Sequence, residues 1–182
     1  VLASDGKKMS KRLQNYPDPR LVVSRYGADA VRLFLINSPA VHAEPLPFSE
    51  PGVLQVLKNL FLPWFNAARL WVTCAQLYEE ETGSTFAPDA AVAAASGNDM
   101  DKWIMAAAQG LIKFTREEME GYRLYTVAPR LVSFIDQLTN WYVRLNRLRL
   151  KGVSNDAADR GAALSVLYEV LIITTRLMSP FA

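Results

Sequence analysis

Apolar residues in the second half of the chain recur at spacings of three and four, the period of an amphipathic helix. Leu131, Phe134, Ile135, Leu138, Trp141, Leu145 and Leu148 form one such stripe, which predicts a helix over residues 126–151 with that stripe turned to a core. Arg130, Gln137, Asn140, Arg144, Arg147 and Lys151 make the opposite, polar stripe. Pro129 falls in the first turn of this helix, where its missing N–H is tolerated, and Gly152 supplies the stop. Upstream, residues 52–81 read as a long helical run kinked at Pro63, and residues 99–120 as another, capped by Asp99 or Asp101. Asn155 or Asp156 caps a last helix that ends near "MSPFA". Between these, "STFAPDAAVAAASGN" is low in complexity and reads as a linker.

The pattern differs toward the N-terminus. "VLAS", then Asp5-Gly6, then "KKMS" predicts a β-hairpin, because Asp-Gly tolerates the positive φ that a two-residue turn requires. An isolated hairpin is marginal, so this one is expected to complete a sheet belonging to sequence outside the chain, which starts in a strand-like run as if cut from something larger. Asp18-Pro19 is an N-cap with proline at the first helical position, and the helix through "RLVVSRY" stops at Gly27. "ADAVRLFLINS" restarts it with Ala30, Leu33, Phe34 and Asn37 on one face. The loop "SPAVHAEPLPFSEPG", with four prolines, divides a small module of mixed α/β character at residues 1–47 from residues 48–182. The fold class is mainly α: an up-and-down helical bundle behind a short β-hairpin and α/β segment.

Composition narrows the chemistry. At 51% hydrophobic and 21% charged residues, the 182-residue chain can bury a real core. Its net charge is only +2, so an argument for nucleic acid rests on where the cations sit. Cys74 is the sole cysteine and His42 the sole histidine, which excludes an internal disulfide and leaves no Cys/His metal set; no metal site is expected. Triad-type catalysis would need His42, which lies in the proline loop with no nucleophile beside it in sequence. Residues 54–78 are interrupted by Lys58, Pro63 and Arg69, and residues 164–173 are short and carry Glu169, so no membrane partner is expected. The N-terminus has no signal-peptide pattern.

Two cation clusters stand out. Lys7, Lys8, Lys11 and Arg12 crowd onto six residues of the opening turn. Arg144, Arg147, Arg149 and Lys151 follow one another with no acid between Asp136 and Asp156. Spacing alone fits a solvated helix end, whose cations complement the helix dipole, as well as a phosphate-tracking face. Trp141 lies on the apolar stripe and reads as core, whereas Tyr142 borders the basic side and reads as a contact.

Lys8-Met9-Ser10-Lys11 resembles the Lys-Met-Ser-Lys-Ser signature loop of class I aminoacyl-tRNA synthetases. "NYPDP", "YGADAVRLFLINSP", "LPWFNAARL", "DKWI" and "NWYVRLNRLRLKG" resemble the region after that loop in the isoleucyl, valyl and leucyl subfamily, most of all its isoleucyl branch of the eukaryotic cytosolic kind. Arg12 and Gln14 depart from the usual Ser and Gly of that signature, while Asn15 is retained.

The resemblance implies a cytoplasmic ligase that activates isoleucine with ATP. In it, Lys11 and Lys8 stabilise the charge developing on the leaving pyrophosphate, and Lys8, Met9, Ser10 and Lys11 form the ATP contact. Magnesium is expected in the full-length enzyme. It also implies an anticodon-binding bundle at residues 48–182 with isoleucine tRNA as partner, and a catalytic and editing portion upstream. The chain carries no His-Ile-Gly-His-like motif, so it is expected to be inactive alone. Tyr142, Arg144, Arg147, Arg149 and Lys151 are the candidate tRNA contacts. The alternatives are a valyl enzyme, a non-catalytic RNA-binding bundle and a protein-binding helical scaffold.

Overall fold

A computed structural model describes residues 1–4, 6–153 and 156–182. Helix α1 (Pro19–Tyr26) is capped by Asp18, which accepts from the Arg20 N–H at 2.9 Å, and closes at Gly27 with φ 83°. Helix α2 (Ala28–Ile36) restarts directly and buries Ala30 and Leu33, while Asn37 is exposed. A single 3₁₀ turn (Pro39–His42) leads into the proline loop.

Among the described residues there is no two-stranded hairpin, which corrects the expectation for the opening segment. Leu2 makes one antiparallel bridge to Lys8 and one parallel bridge to Pro47. Its N–H donates to the Leu46 carbonyl at 2.7 Å, and its carbonyl accepts from Phe48 at 2.8 Å. The first arm therefore pairs with the returning proline loop, and the second arm curls away after Lys8. Asp5, half of the expected Asp-Gly turn, lies outside the described residues.

Helix α3 (Glu50–Val56), a wide π-helical turn (Leu57–Phe61) and helix α4 (Leu62–Thr82) run on from one another. Pro63 lacks an N–H and its ring would strike the carbonyl four residues back. The wide turn relieves both problems: Leu62 donates to Leu57, five residues back, so the expected kink is an inserted residue. Helix α5 (Ala90–Ala94) occupies the segment read as linker. Alanine is the best helix former, Asp89 caps the turn through the Ala91 N–H at 2.7 Å, and Ala93 is buried where α5 packs on the last helix.

Helix α6 (Asp99–Glu120) is capped by Asn98, and by neither Asp99 nor Asp101. Helix α7 (Leu124–Asp136) starts two residues early, so Pro129 lies in its interior. A second wide turn (Gln137–Val143) and the short helix α8 (Arg147–Leu150) continue it to Gly152. Asp156 caps helix α9 (Ala157–Met178); Asn155, the other expected cap, lies outside the described residues.

Helix α9 is long and apolar enough to cross a membrane by composition. It buries Leu164, Leu167, Val170 and Met178 against α4, α6 and α7, as the central helix of the bundle. A smaller core of Val22, Ala30 and Val53 joins α1, α2 and α3, so the N-terminal piece rests on the start of the long helix. These two cores place helices α1–α3 and the α7–α8 segment on one scaffold.

Candidate RNA-facing groove and signature loop

The apolar stripe holds through Leu138 and then changes face. Trp141, Leu145 and Leu148, expected in the core, are 58%, 62% and 67% exposed. Tyr142 and Leu150 are fully buried in their place, with Asn146 beside them at 5%. The wide turn explains this shift. A π-turn takes more residues per revolution than an α-turn, so every later side chain lags in rotation by about one position.

A buried polar cluster holds the shifted register. Asp101 of α6 is fully buried and accepts from four donor atoms. The Tyr142 hydroxyl donates at 2.7 Å, Ser96 Oγ at 2.5 Å, and Arg149 Nη1 and Nη2 at 2.8 and 2.9 Å. Arg149 also forks onto Asp159 of α9 through Nε at 2.7 Å and Nη2 at 2.6 Å. Burial pushes the Asp101 carboxyl up, but the hydrogen bonds from Arg149, Ser96 and Tyr142 outweigh it and hold the group below its ordinary range. Burial first, and the Asp101 charge second, push the Tyr142 phenol up.

Tyr142 and Arg149 are therefore withdrawn from the candidate tRNA contacts. The phenol is buried and committed to Asp101, and the guanidinium is shared between two carboxylates. Local charge pattern missed this because Asp101 lies 48 residues away in sequence.

Arg144 and Arg147 remain outward, and no ion pair or hydrogen bond engages their side chains among the described residues. Both line a groove of about 520 Å³ with Pro63, Asn66, Ala67 and Leu70 of α4 and with Thr139, Asn140 and Val143 of the second wide turn. Lys151 is exposed but does not line it. The lining thus combines two cations, the amides of Asn66 and Asn140, the Thr139 hydroxyl and several apolar side chains. Asn140 Nδ2 donates to Asp136 Oδ1 at 2.6 Å and Thr139 Oγ1 to the Ile135 carbonyl at 2.8 Å, which leaves their oxygens as acceptors. The combination suits a phosphate and a base edge together. Trp141, next to Asn140, is exposed. Asn66 and Thr139 carried no signal in the sequence that would place them here.

At the other end, Lys8, Lys11 and Arg12 are exposed, while Met9 and Ser10 are half-buried. Met9 lines an apolar cavity of about 210 Å³ with Tyr16, Pro17, Val31, Leu35 and Phe48. The Ser10 carbonyl accepts from Leu13 at 3.2 Å and from Gln14 at 3.0 Å, which closes a tight turn carrying Lys11 and Arg12 at its tip. Described loop residues 6–17 offer amines, a guanidinium, amides and hydroxyls but no carboxylate, so they fit phosphates and do not fit a magnesium ligand set. His42 packs on the Tyr125 ring with centroids 4.4 Å apart.

Comparison with known proteins matches the two ends of the chain to different family models. Residues 1–46 match the family model described as tRNA synthetases class I (I, L, M and V), and residues 101–182 match that of the anticodon-binding domain of tRNA ligase. The chain is 61% identical to a probable cytoplasmic isoleucine–tRNA ligase of Dictyostelium discoideum, covering 100% of this chain and 17% of that protein. It is 55% identical to the cytoplasmic isoleucine–tRNA ligase of Arabidopsis thaliana, covering 100% of this chain and 15% of that one. Among solved structures, a LeuRS of Agrobacterium radiobacter K84, crystallised as a ternary complex with tRNA and LeuAMS, shares the fold with a TM-score of 0.64 at 22% identity, over 99% of this chain and 19% of that chain. The chain spans about a sixth of the length of these ligase relatives. With both family models matched in order and cytoplasmic isoleucine–tRNA ligases aligned end to end, the chain belongs to the class I tRNA synthetase family, in its isoleucine–tRNA ligase branch.

Proposed function

We propose that residues 48–182 bind the anticodon region of isoleucine tRNA through the groove between α4 and the second wide turn. Arg144 and Arg147 grip phosphate there, and Lys151, exposed outside the groove, adds to the positive charge of the segment. Asn66, Thr139 and Asn140 meet base edges, and Trp141 offers a stacking surface. The observation that carries this reading is the pair of unpartnered arginines on a groove walled by amides and a hydroxyl. Its support from relatives is the anticodon-binding family model over residues 101–182.

Residues 1–47 serve the chemical step of a cytoplasmic ligase. Lys11, with Lys8 beside it, closes on the β- and γ-phosphates as isoleucine's carboxylate attacks the α-phosphate of ATP and pyrophosphate leaves. Ser10 adds a hydroxyl, and Met9 seats the loop in its apolar cavity. The amino-acid pocket, the other half of the ATP site and the editing site belong to further domains of the same protein, so the chain alone performs no activation.

The test is fluorescence anisotropy of this chain with isoleucine and valine tRNA transcripts. Tighter binding of the isoleucine tRNA is expected, and equal binding would reduce the groove to a phosphate grip. For the loop, Lys11→Ala in a full-length ligase carrying this segment is expected to lower isoleucine-dependent pyrophosphate exchange about a hundredfold. Exchange catalysed by the chain alone would contradict the division of the active site.

A further inference from the structure

We propose that Asn15 is the positioning residue of the signature loop: its carboxamide ties the two ends of the Lys8–Met9–Ser10 stretch together and holds Gln14 in a left-handed conformation, so that Lys11 is presented from a fixed frame. This inference rests on the reading of the loop as phosphate-binding.

Three observations converge on this role. Asn15 Oδ1 accepts from the Ser10 N–H at 2.9 Å, and Asn15 Nδ2 donates to the Lys8 carbonyl at 3.2 Å. One side chain thus satisfies a donor and an acceptor on either side of Met9, as a paired strand would. Gln14, immediately before it, has φ 47°, in the region that disfavours residues with a Cβ. Its N–H closes the turn on the Ser10 carbonyl, in the geometry that commonly ends on glycine. Finally, Lys8, Lys11 and Arg12 are all exposed on this small turn.

Repulsion among those cations and the Gln14 backbone both favour opening of the turn, and the carboxamide opposes both. A neutral clamp does so without neutralising the loop. A carboxylate at position 15 would hold the Ser10 N–H equally well but would compete with phosphate for the lysines. Asn15 itself need not touch the nucleotide. It acts through Lys11, by limiting the positions the ammonium explores when charge develops on the leaving group.

The test uses a full-length ligase carrying this segment, read by isoleucine-dependent pyrophosphate exchange with kcat and the KM for ATP measured separately. Lys11→Ala is the reference: its loss of exchange establishes the phosphate reading independently of Asn15. Asn15→Ala is expected to lower kcat about tenfold, the scale of removing two hydrogen bonds, with the ATP KM changed less than twofold. Adding Gln14→Gly to Asn15→Ala is expected to recover about fivefold, because glycine adopts the left-handed turn without the clamp.

A full kcat in Asn15→Ala, beside a Lys11→Ala enzyme that has lost exchange, would overturn the proposal and leave the phosphate reading intact. An Asn15→Ala loss that Gln14→Gly does not relieve would also overturn it, since the carboxamide would then act on substrate directly. An unaffected Lys11→Ala enzyme would remove the phosphate reading and this inference together.

Discussion

The turn at residues 7–12 and the helix segment at residues 144–151 each crowd four cations into a short stretch, and the fold handles them in opposite ways. In the turn, Lys8, Lys11 and Arg12 all stay exposed, and the frame behind them is a neutral carboxamide and backbone hydrogen bonds. In the helix, Arg149 is withdrawn into a buried cluster with Asp101 and Asp159, while Arg144 and Arg147 line the groove. The first arrangement leaves its charge uncompensated on a frame held by one side chain, which suits the proposed phosphate-binding loop. The second gives up one cation for a rigid face, which suits a surface that must match a preformed partner.

The sharpest way to break that contrast is to remove the helix anchor. Arg149→Ala is expected to destabilise the chain by about 3–5 kcal/mol in urea unfolding, because it leaves the buried Asp101 carboxylate without its main partner. Asn15→Ala, the corresponding change in the turn, is expected to move stability by no more than about 0.5 kcal/mol.

Next in size is the register itself. Leu150→Ala should cost about 2–5 kcal/mol as a core truncation, whereas Leu148→Ala, two residues earlier on the exposed side, should stay within about 0.5 kcal/mol. Similar losses at both positions would mean that the wide turn does not shift the stripe. Tyr142→Phe follows at about 1–2 kcal/mol, from the donor removed at Asp101.

Acid titration gives the smallest signal. The folded Asp101 carboxyl titrates below its ordinary 3.8, so its contribution is present in full above that value and is lost as pH falls below it toward the lowered folded value. Urea midpoints measured from pH 6 to pH 2 should show this loss in the parent chain, and the Arg149→Ala variant should show a flatter acid limb.

What was legible in the sequence was punctuation and period. Asp18-Pro19, Gly27 and Asp156 mark helix ends where the fold puts them, because caps act through neighbours in the chain. The apolar stripe of α7 was legible through Leu138 for the same reason. It failed from Trp141 onward because periodicity assumes one residue count per turn, and nothing in "QLTNWYV" announces an extra residue.

The roles of Tyr142 and Arg149 depend on Asp101, a partner that local reading cannot supply. The hairpin expectation failed on a tertiary competition: Leu2 spends both of its backbone groups on the proline loop, and Asn15 holds the outer edge of the second arm. The cation clusters were legible as places, but which cations face outward was decided by packing.

The most direct test of the account is the salt dependence of tRNA binding by the parent chain and by the Arg144→Ala/Arg147→Ala variant. Anisotropy titrations from low to physiological salt give the slope of log affinity against log salt. The account predicts that the variant unfolds like the parent and binds with a slope reduced by about two, one for each arginine–phosphate pair removed. An unchanged slope and affinity would contradict it, and would mean that the tRNA lies elsewhere on the bundle.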